Sequence, residues 1–449
     1  MAQLASAFAW GAKGRRFESC HPDHFFSTTR LGNFRIPACY TNTIRFGKHM
    51  ISLPKLRLVF VVILVFLGLA LRIKYFDQIG GDHETYKKAV TEFLSGENPY
   101  KYTVASFENT ELKNGYAYFP TLLYIQSALV KLNGVINLDW PTKHMWKVPV
   151  LIADMLIIWL LAIRYYRKDF YFFLVSAAFW LFNPHILARS EYVLYDPLAV
   201  LFLLLGMLHV EKKGFLSGVF FAISVSLKSF GVILLPVIFL KSNNKVRWLL
   251  GGALVAVLIS LPFLNDLKTY LAGTIQVHAE RGVQGRPFLT FLSFYGYKYG
   301  INFYQTIYSG IYTKLAVILP WLTGIFLYFK KKGASVFQLS LIPVTIYFLL
   351  TPVISRTHLL WFIPVILIGL YDTFKENKKL IYSAVATLYI FLYMYLRIWN
   401  TGFMIYECSM LSVYPSEKAS TRICDKRDEF GFSHCPESLG RCLPHCCIK

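Results

Sequence analysis

The sequence predicts an all-α fold, a polytopic membrane bundle of about eleven transmembrane helices whose long first outer loop carries amphipathic surface helices. Three observations lead there. The chain is 55% hydrophobic and 17% aromatic but only 16% charged, a balance that soluble domains rarely show. Its apolar residues come in blocks of about 18 or more, the length that crosses a bilayer as a helix. The basic residues gather in short runs between those blocks, at Arg164–Lys168, Lys212–Lys213, Lys241–Arg247, Lys330–Lys332 and Lys375–Lys379. A membrane β-barrel would show short alternating segments instead, and none is present.

The net charge of +22 is accounted for by this positive-inside pattern, which sets orientation and implies no nucleic-acid partner. All eight cysteines lie in the flanks, at 20, 39, 408, 424, 435, 442, 446 and 447. The C-terminal cysteines suit zinc or disulfides, but their spacing matches no defensible zinc pattern, so residues 401–449 read as a Cys-rich tail that is disordered or spurious. At the other end, residues 1–49 resemble a transfer-RNA gene read through as protein, with Arg16–Ser19 matching one frame of the T-arm. The natural start is expected at Met50, where a short basic lead precedes the first apolar block; a genuine cytosolic extension is the alternative.

In chain order, a first span over Leu58–Phe76 delivers Asp82 to the non-cytosolic side. The loop at 77–143 holds a helix from Glu84 to Leu94, a break at Asn98-Pro99-Tyr100, and an amphipathic helix from Phe119 to Leu132. Helices of this kind lie along a membrane surface. Spans are expected at Met145–Ala162, Phe170–Phe182 and Leu198–Val210. The apolar block from Gly214 to Lys241 carries Lys228 at its middle. Both its ends are basic, so it reads as two short helices turning near Lys228 rather than one long helix. Further spans are expected at Trp248–Leu264, Leu315–Phe329, Val336–Leu350, Leu359–Leu370 and Leu380–Leu396. All five basic loops then face the cytosol.

Under this topology the ionisable residues of the loops collect on one face. Asp82, His83 and Glu84 stand in the first outer loop, and His185, Arg189, Glu191 and Asp196 in the second. Lys228 sits at the helical turn, His278, Glu280, Arg281, Gln284 and Arg286 in the next loop, and Arg356 and His358 in the last. Acids and bases at helix ends on one side suit a catalytic cavity at the membrane boundary, whereas transporters place them at mid-span on broken helices. Plainer readings stand beside this one. Asp82 and Glu84 also suit the acidic first turn of a helix, and Glu191 and Asp196 suit loop and cap positions. Arg189 and Arg281 suit lipid headgroups. Lys228 is the hardest to read plainly, because a cation inside an apolar block is costly unless it has an anionic partner.

An acid directly after the first span, then "FLSGENPY" and the aromatic-Pro pair in "YAYFP", resembles the GT-C superfamily of membrane glycosyltransferases. The nearest likeness is to polyprenyl-phosphate-mannose-dependent mannosyltransferases and the catalytic mannosyltransferase of GPI-anchor assembly. "KVPVLIADMLIIWLL", "FNPHILARSEYVLYDPLAVLFLLLG", "HAERGVQG" and "SRTHLLWFIP" are similar to further blocks of such enzymes. The order of these blocks over residues 50–400 carries the resemblance.

The resemblance implies that a hexose, mannose in the nearest relatives, passes with inversion from a polyprenyl-phosphate donor to a hydroxyl of a glycolipid or glycan acceptor. This takes place on the non-cytosolic face of the plasma membrane or endoplasmic reticulum. It assigns Asp82 as general base, with Glu84 as the neighbouring candidate. Arg356, His358, Arg281 and Lys228 are the candidates for stabilising the departing lipid phosphate. Tyr86, Glu191, Asp196, His278 and Gln284 are the candidates for the substrate walls. "DHE" departs from an Asp-Asp or Asp-x-Asp pair, and Tyr-Asp-Pro stands where many relatives have Gln-x-Asp. The donor sugar and the use of a divalent metal therefore stay open, and no cofactor is called for. A Gly-rich strand-turn-helix unit is missing, which argues against a nucleotide-sugar donor. A transporter or flippase of a lipid-linked saccharide and an accessory protein with a degenerate site are the competing classes.

Overall fold

Helices dominate the chain, as its apolar blocks require: in hydrocarbon every backbone polar group must be satisfied within its own segment. The computed structural model describes residues 43–46, 49–80, 82–108, 115–184, 186–187, 195–279, 284–285, 288, 311–351, 353–354 and 358–413. It divides into two units, Met1–Leu58 and Val59–Lys449.

In the first unit β1 (Thr43–Phe46) pairs antiparallel with β2 (His49–Ser52), Met50 opposite Arg45. This hairpin is a small departure from an all-α chain, and it runs across the boundary expected at Met50. Helix α1 (Leu53–Lys74) begins at the end of this unit and continues into the second.

The described residues of the second unit are helical almost throughout. The first loop folds into α2 (His83–Leu94), α3 (Pro99–Glu108) and α4 (Thr121–Ile136). The break expected at Asn98-Pro99-Tyr100 lies at Gly96–Asn98, with Gly96 at φ +87. Pro99 starts the next helix rather than ending the last one, a position where its missing N–H costs nothing. A single turn, Thr142–Met145, leads into α5 (Val148–Tyr165). Then come α6 (Phe170–Phe182), α7 (Asp196–His209) and α8 (Gly214–Leu227). A 3-10 stretch (Ser229–Leu234) joins α8 to α9 (Leu235–Lys241). Lys228 lies extended between them, at φ −153 and ψ 124, so the block does break where its buried cation suggested.

Helix α10 (Lys245–Ser260) runs on through a 3-10 stretch, α11 (Leu267–Leu271) and a π-turn (Ala272–Gln276). The last helices are α12 (Ile311–Lys330), α13 (Val336–Leu350), α14 (Ile363–Phe374) and α15 (Lys378–Val413). Two-residue strands β3 (Gln284–Gly285) and β4 (Val353–Ile354) pair in parallel.

Among the described residues, three helical stretches are long and apolar enough to cross a membrane: Lys55–Lys74, Thr142–Tyr165 and Lys245–Gln276. Other apolar helices, among them Phe170–Phe182, Asp196–His209, Gly214–Leu227 and Val336–Leu350, have 10–17 residues. Breaks such as the one at Lys228 shorten them, and on length alone the count falls below the eleven expected. Large apolar side chains stand exposed along α1, α5, α10 and α12, including Phe66, Trp159, Leu250, Val257, Phe326 and Phe329. Water would penalise such faces heavily, whereas lipid would not.

The end of α1 is fixed by buried charges, and this positions the first loop. Arg72, 1% exposed, donates from Nε to Asp154 Oδ2 on α5 at 2.7 Å, and from Nη1 to the carbonyls of Gly68 and Leu181. Trp180 Nε1 donates to the other Asp154 oxygen at 3.0 Å. Beyond the helix, Lys147 Nζ donates to the carbonyls of Tyr75 (3.0 Å), Phe76 (2.7 Å) and Gln78. Asp77 accepts from Lys143 at 2.9 Å and pairs with His144 at 2.8 Å. Those two bonds, Lys143's the larger, hold the Asp77 carboxyl down at about 2. The segment leading into α2 is thus anchored by three side chains.

Candidate functional site

Asp82 precedes the first turn of α2 and Glu84 lies within it. Asp82 occupies the N-cap position, yet its side chain makes no capping hydrogen bond, so helix capping does not account for it. Both carboxylates are exposed. Between them His83 is buried against Trp146, ring centroids 5.2 Å apart, with Nδ1 lacking a hydrogen-bond partner among the described residues. Burial pushes the His83 pKa down, partly offset by the Glu84 charge.

One turn on, Tyr86 is 1% exposed. Its ring packs against Tyr116, Tyr118 and Tyr195 at 6.1–6.2 Å. Its hydroxyl is buried without a partner among the described residues. Desolvation, with Tyr118, Asp82 and Asp196 adding to it, pushes that hydroxyl well above the usual tyrosine range. Tyr86 is therefore a neutral wall of the site that carries one unused donor.

The wall leads to the buried cation. Lys228 Nζ donates to Tyr118 Oη at 2.9 Å and stands 4.2 Å from the centre of the same ring. The Asp196 carboxylate lies 4.0 Å from Nζ. The anionic partner that Lys228 requires is thus Asp196, itself 0% exposed at the start of α7. Asp196 Oδ1 accepts from Trp361 Nε1, and its Oδ2 has no hydrogen-bond partner among the described residues. Trp361 stacks on His358 at 3.9 Å and on Phe230 at 4.5 Å. The Tyr86 N–H donates to the Asp82 carbonyl at 3.0 Å and the Tyr86 ring packs on Tyr118, which joins the first loop to this cluster.

Residues near Ala117, His278 and Val353 meet at the same place. The Ala117 carbonyl accepts from His278 Nε2, and the His278 ring lies 6.3 Å from that of Tyr118. The Val353 carbonyl accepts from His358 Nδ1 at 3.0 Å, and Val353 is the strand partner of Gln284. Asp82, Tyr86, Asp196, Lys228, His278, His358 and the Gln284 backbone therefore belong to one linked neighbourhood. Glu191, Arg281 and Arg356 lie outside the described residues.

Sequence reasoning missed Tyr118, Tyr195, Trp361 and Gln126, the last donating to Tyr195 Oη at 3.1 Å. Tyr118 and Trp361 do stand in "YAYFP" and "SRTHLLWFIP", but periodicity gives no sign that an aromatic will hydrogen-bond a buried charge.

Chemically, the neighbourhood offers an ammonium with three donors, of which Tyr118 takes one, and the exposed Asp82 carboxylate, which only accepts, at the start of the helix that carries Tyr86. Among the described residues no three metal-ligating side chains come together. No family model matches this chain, and no curated protein does either.

Proposed function

We propose that this protein is a membrane transferase that moves a hexose from a polyprenyl-phosphate donor to a hydroxyl of a glycolipid or glycan acceptor. The observation that carries the reading is the exposed Asp82 carboxylate one turn before Tyr86, whose ring packs on Tyr118 of the buried Lys228–Tyr118–Asp196 cluster. The order of sequence blocks resembling GT-C enzymes supports it from another direction. The chain crosses the membrane about eleven times, and the cluster faces the non-cytosolic side.

In the reaction, Asp82 takes the proton from the acceptor hydroxyl as its oxygen bonds to the anomeric carbon from the face opposite the phosphate. The anomeric carbon–oxygen bond to the phosphate breaks and the electron pair leaves with polyprenyl phosphate. Lys228 and His358, together with Arg281 and Arg356, stabilise the charge that develops there. Asp196 keeps Lys228 charged and in place, since an unpaired ammonium in an apolar site is costly. Tyr86, Glu191, His278 and Gln284 line the sugar and acceptor sites.

The test is turnover by the purified full chain with radiolabelled polyprenyl-phosphate hexose and a panel of glycolipid acceptors. Labelled product together with released polyprenyl phosphate is the expected result. Movement of intact lipid-linked sugar across vesicles without bond cleavage would show a transporter instead.

A further inference from the structure

A second feature lies at the basic loops, away from Asp82 and Lys228. Helices α8 and α10 meet at backbone distance. A Cβ at Gly218 would collide with the Trp248 carbonyl, and one at Gly251 with the Phe215 carbonyl. This contact brings the loop before α8 beside the loop before α10, and a Cβ at Gly214 would stand 2.9 Å from the Asn244 carbonyl. Between the loops lies a hollow of about 400 Å³, lined by Lys212, Lys213, Asn243, Asn244 and Arg247, with Phe215 and Leu216 forming its apolar wall.

The three cations of this hollow are exposed. Among the described residues no carboxylate pairs with any of them, because Glu211, the adjacent acid, is held by Lys241 at 3.1 Å. On the flank, Phe215, Val246, Leu249 and Leu250 are 41–67% exposed. Helix α10 opens the membrane-length stretch Lys245–Gln276, which puts the hollow at a bilayer boundary. A concave set of uncompensated cations and side-chain amides, continuous with a lipid-exposed apolar face, matches a molecule with an anionic head and an apolar tail.

We infer that this hollow binds the phosphate headgroup of an anionic phospholipid, its acyl chains lying along Phe215, Val246, Leu249 and Leu250. Lys212, Lys213 and Arg247 supply charge-assisted hydrogen bonds to the phosphate oxygens, and the Asn243 amide supplies a neutral donor. The Asn244 side-chain oxygen is already engaged by the Arg247 N–H at 2.9 Å. The site stands whether or not the chain is a transferase. Setting membrane orientation would need the charge of these residues alone and no hollow between them. The run Lys330–Lys332 is the internal comparison: it is equally basic and exposed, and a Cβ on Gly333 beside it would meet nothing.

The experiment is native mass spectrometry of the detergent-purified full chain with phosphatidylglycerol or phosphatidylcholine added. Two triple variants are compared, Lys212→Gln/Lys213→Gln/Arg247→Gln and Lys330→Gln/Lys331→Gln/Lys332→Gln. Wild type and the 330–332 variant should retain one phosphatidylglycerol in preference to phosphatidylcholine. The hollow variant should lose about tenfold or more of that affinity. Arg247→Gln alone, an exposed change, gives a partial loss and covers the case of a poorly folded triple. Equal loss in both triples, or no preference for phosphatidylglycerol in wild type, overturns the site. Competition by inorganic phosphate at the same concentration as the lipid would show a plain anion site and overturn the lipid assignment.

Discussion

Asp82 and His83 are neighbours in sequence with opposite fates, one exposed and uncapped, the other buried beside Trp146. If Asp82 is the base, Asp82→Asn keeps the shape but removes the proton acceptor. Transfer should then fall by roughly 10²-fold or more while donor binding survives. Glu84→Gln should do less, and a strong defect in Glu84→Gln alone would move the base two residues on. His83 has a different signature. Its pKa is pushed below 6.5 in the fold, so above about pH 6.5 both folded and unfolded states hold it neutral. As pH falls through that value the unfolded chain takes a proton that the folded chain resists, and stability drops. Melting temperature of the purified protein should therefore fall from pH 7.5 to 5.5, and His83→Phe should flatten that slope. A slope unchanged in His83→Phe would assign it to other groups.

Among the elements, the end of α1 decides where the first loop begins. Just past the end of α1, Lys147 donates to the carbonyls of Phe76 and Gln78 and shares that of Tyr75 with the Gln78 N–H. Lys147→Met should cost about 1–3 kcal/mol, with faster amide exchange over residues 75–80 and none added within α5. Uniform loosening of α5 would instead mark a general packing defect. The Arg72–Asp154 pair is deeper. Removing one partner leaves a buried uncompensated charge, so Arg72→Met should cost about 3–5 kcal/mol. Arg72→Met combined with Asp154→Leu should recover part of this loss, and a double variant no better than the single would refute the pairing. The sequence shows an arginine near the end of an apolar block, which snorkelling would explain; only the fold turns it inward to Asp154.

For the whole molecule, the proposed topology makes a prediction about sidedness. In a cysteine-free background, Glu84→Cys should react with a membrane-impermeant thiol reagent from the non-cytosolic side. Lys212→Cys, Lys331→Cys and Glu376→Cys should react only after permeabilisation. Any two of the latter labelling from opposite sides would break the count of crossings.

Helix positions are largely legible in the sequence, because apolar runs and breakers act locally: Phe170–Phe182 and Val336–Leu350 have the bounds that the apolar runs predict. So is the interruption at Lys228, since a cation cannot lie within an unbroken apolar helix without cost. The length of each crossing is less legible than its place, and three stretches rather than eleven meet the length test among the described residues. Composition along the chain is enough to set a helical chain with membrane-length apolar stretches and many of its ionisable residues in the loops between them, because burial and charge placement follow from it. The packing of the helices is what pairs Asp196 with Lys228, joins Tyr118 and Trp361 to them, and pairs Arg72 with Asp154. Those partners stand 32 to 165 positions apart in the chain. Local pattern carries no information about partners so far apart, and the cost of an unpaired charge in an apolar interior is what selects them.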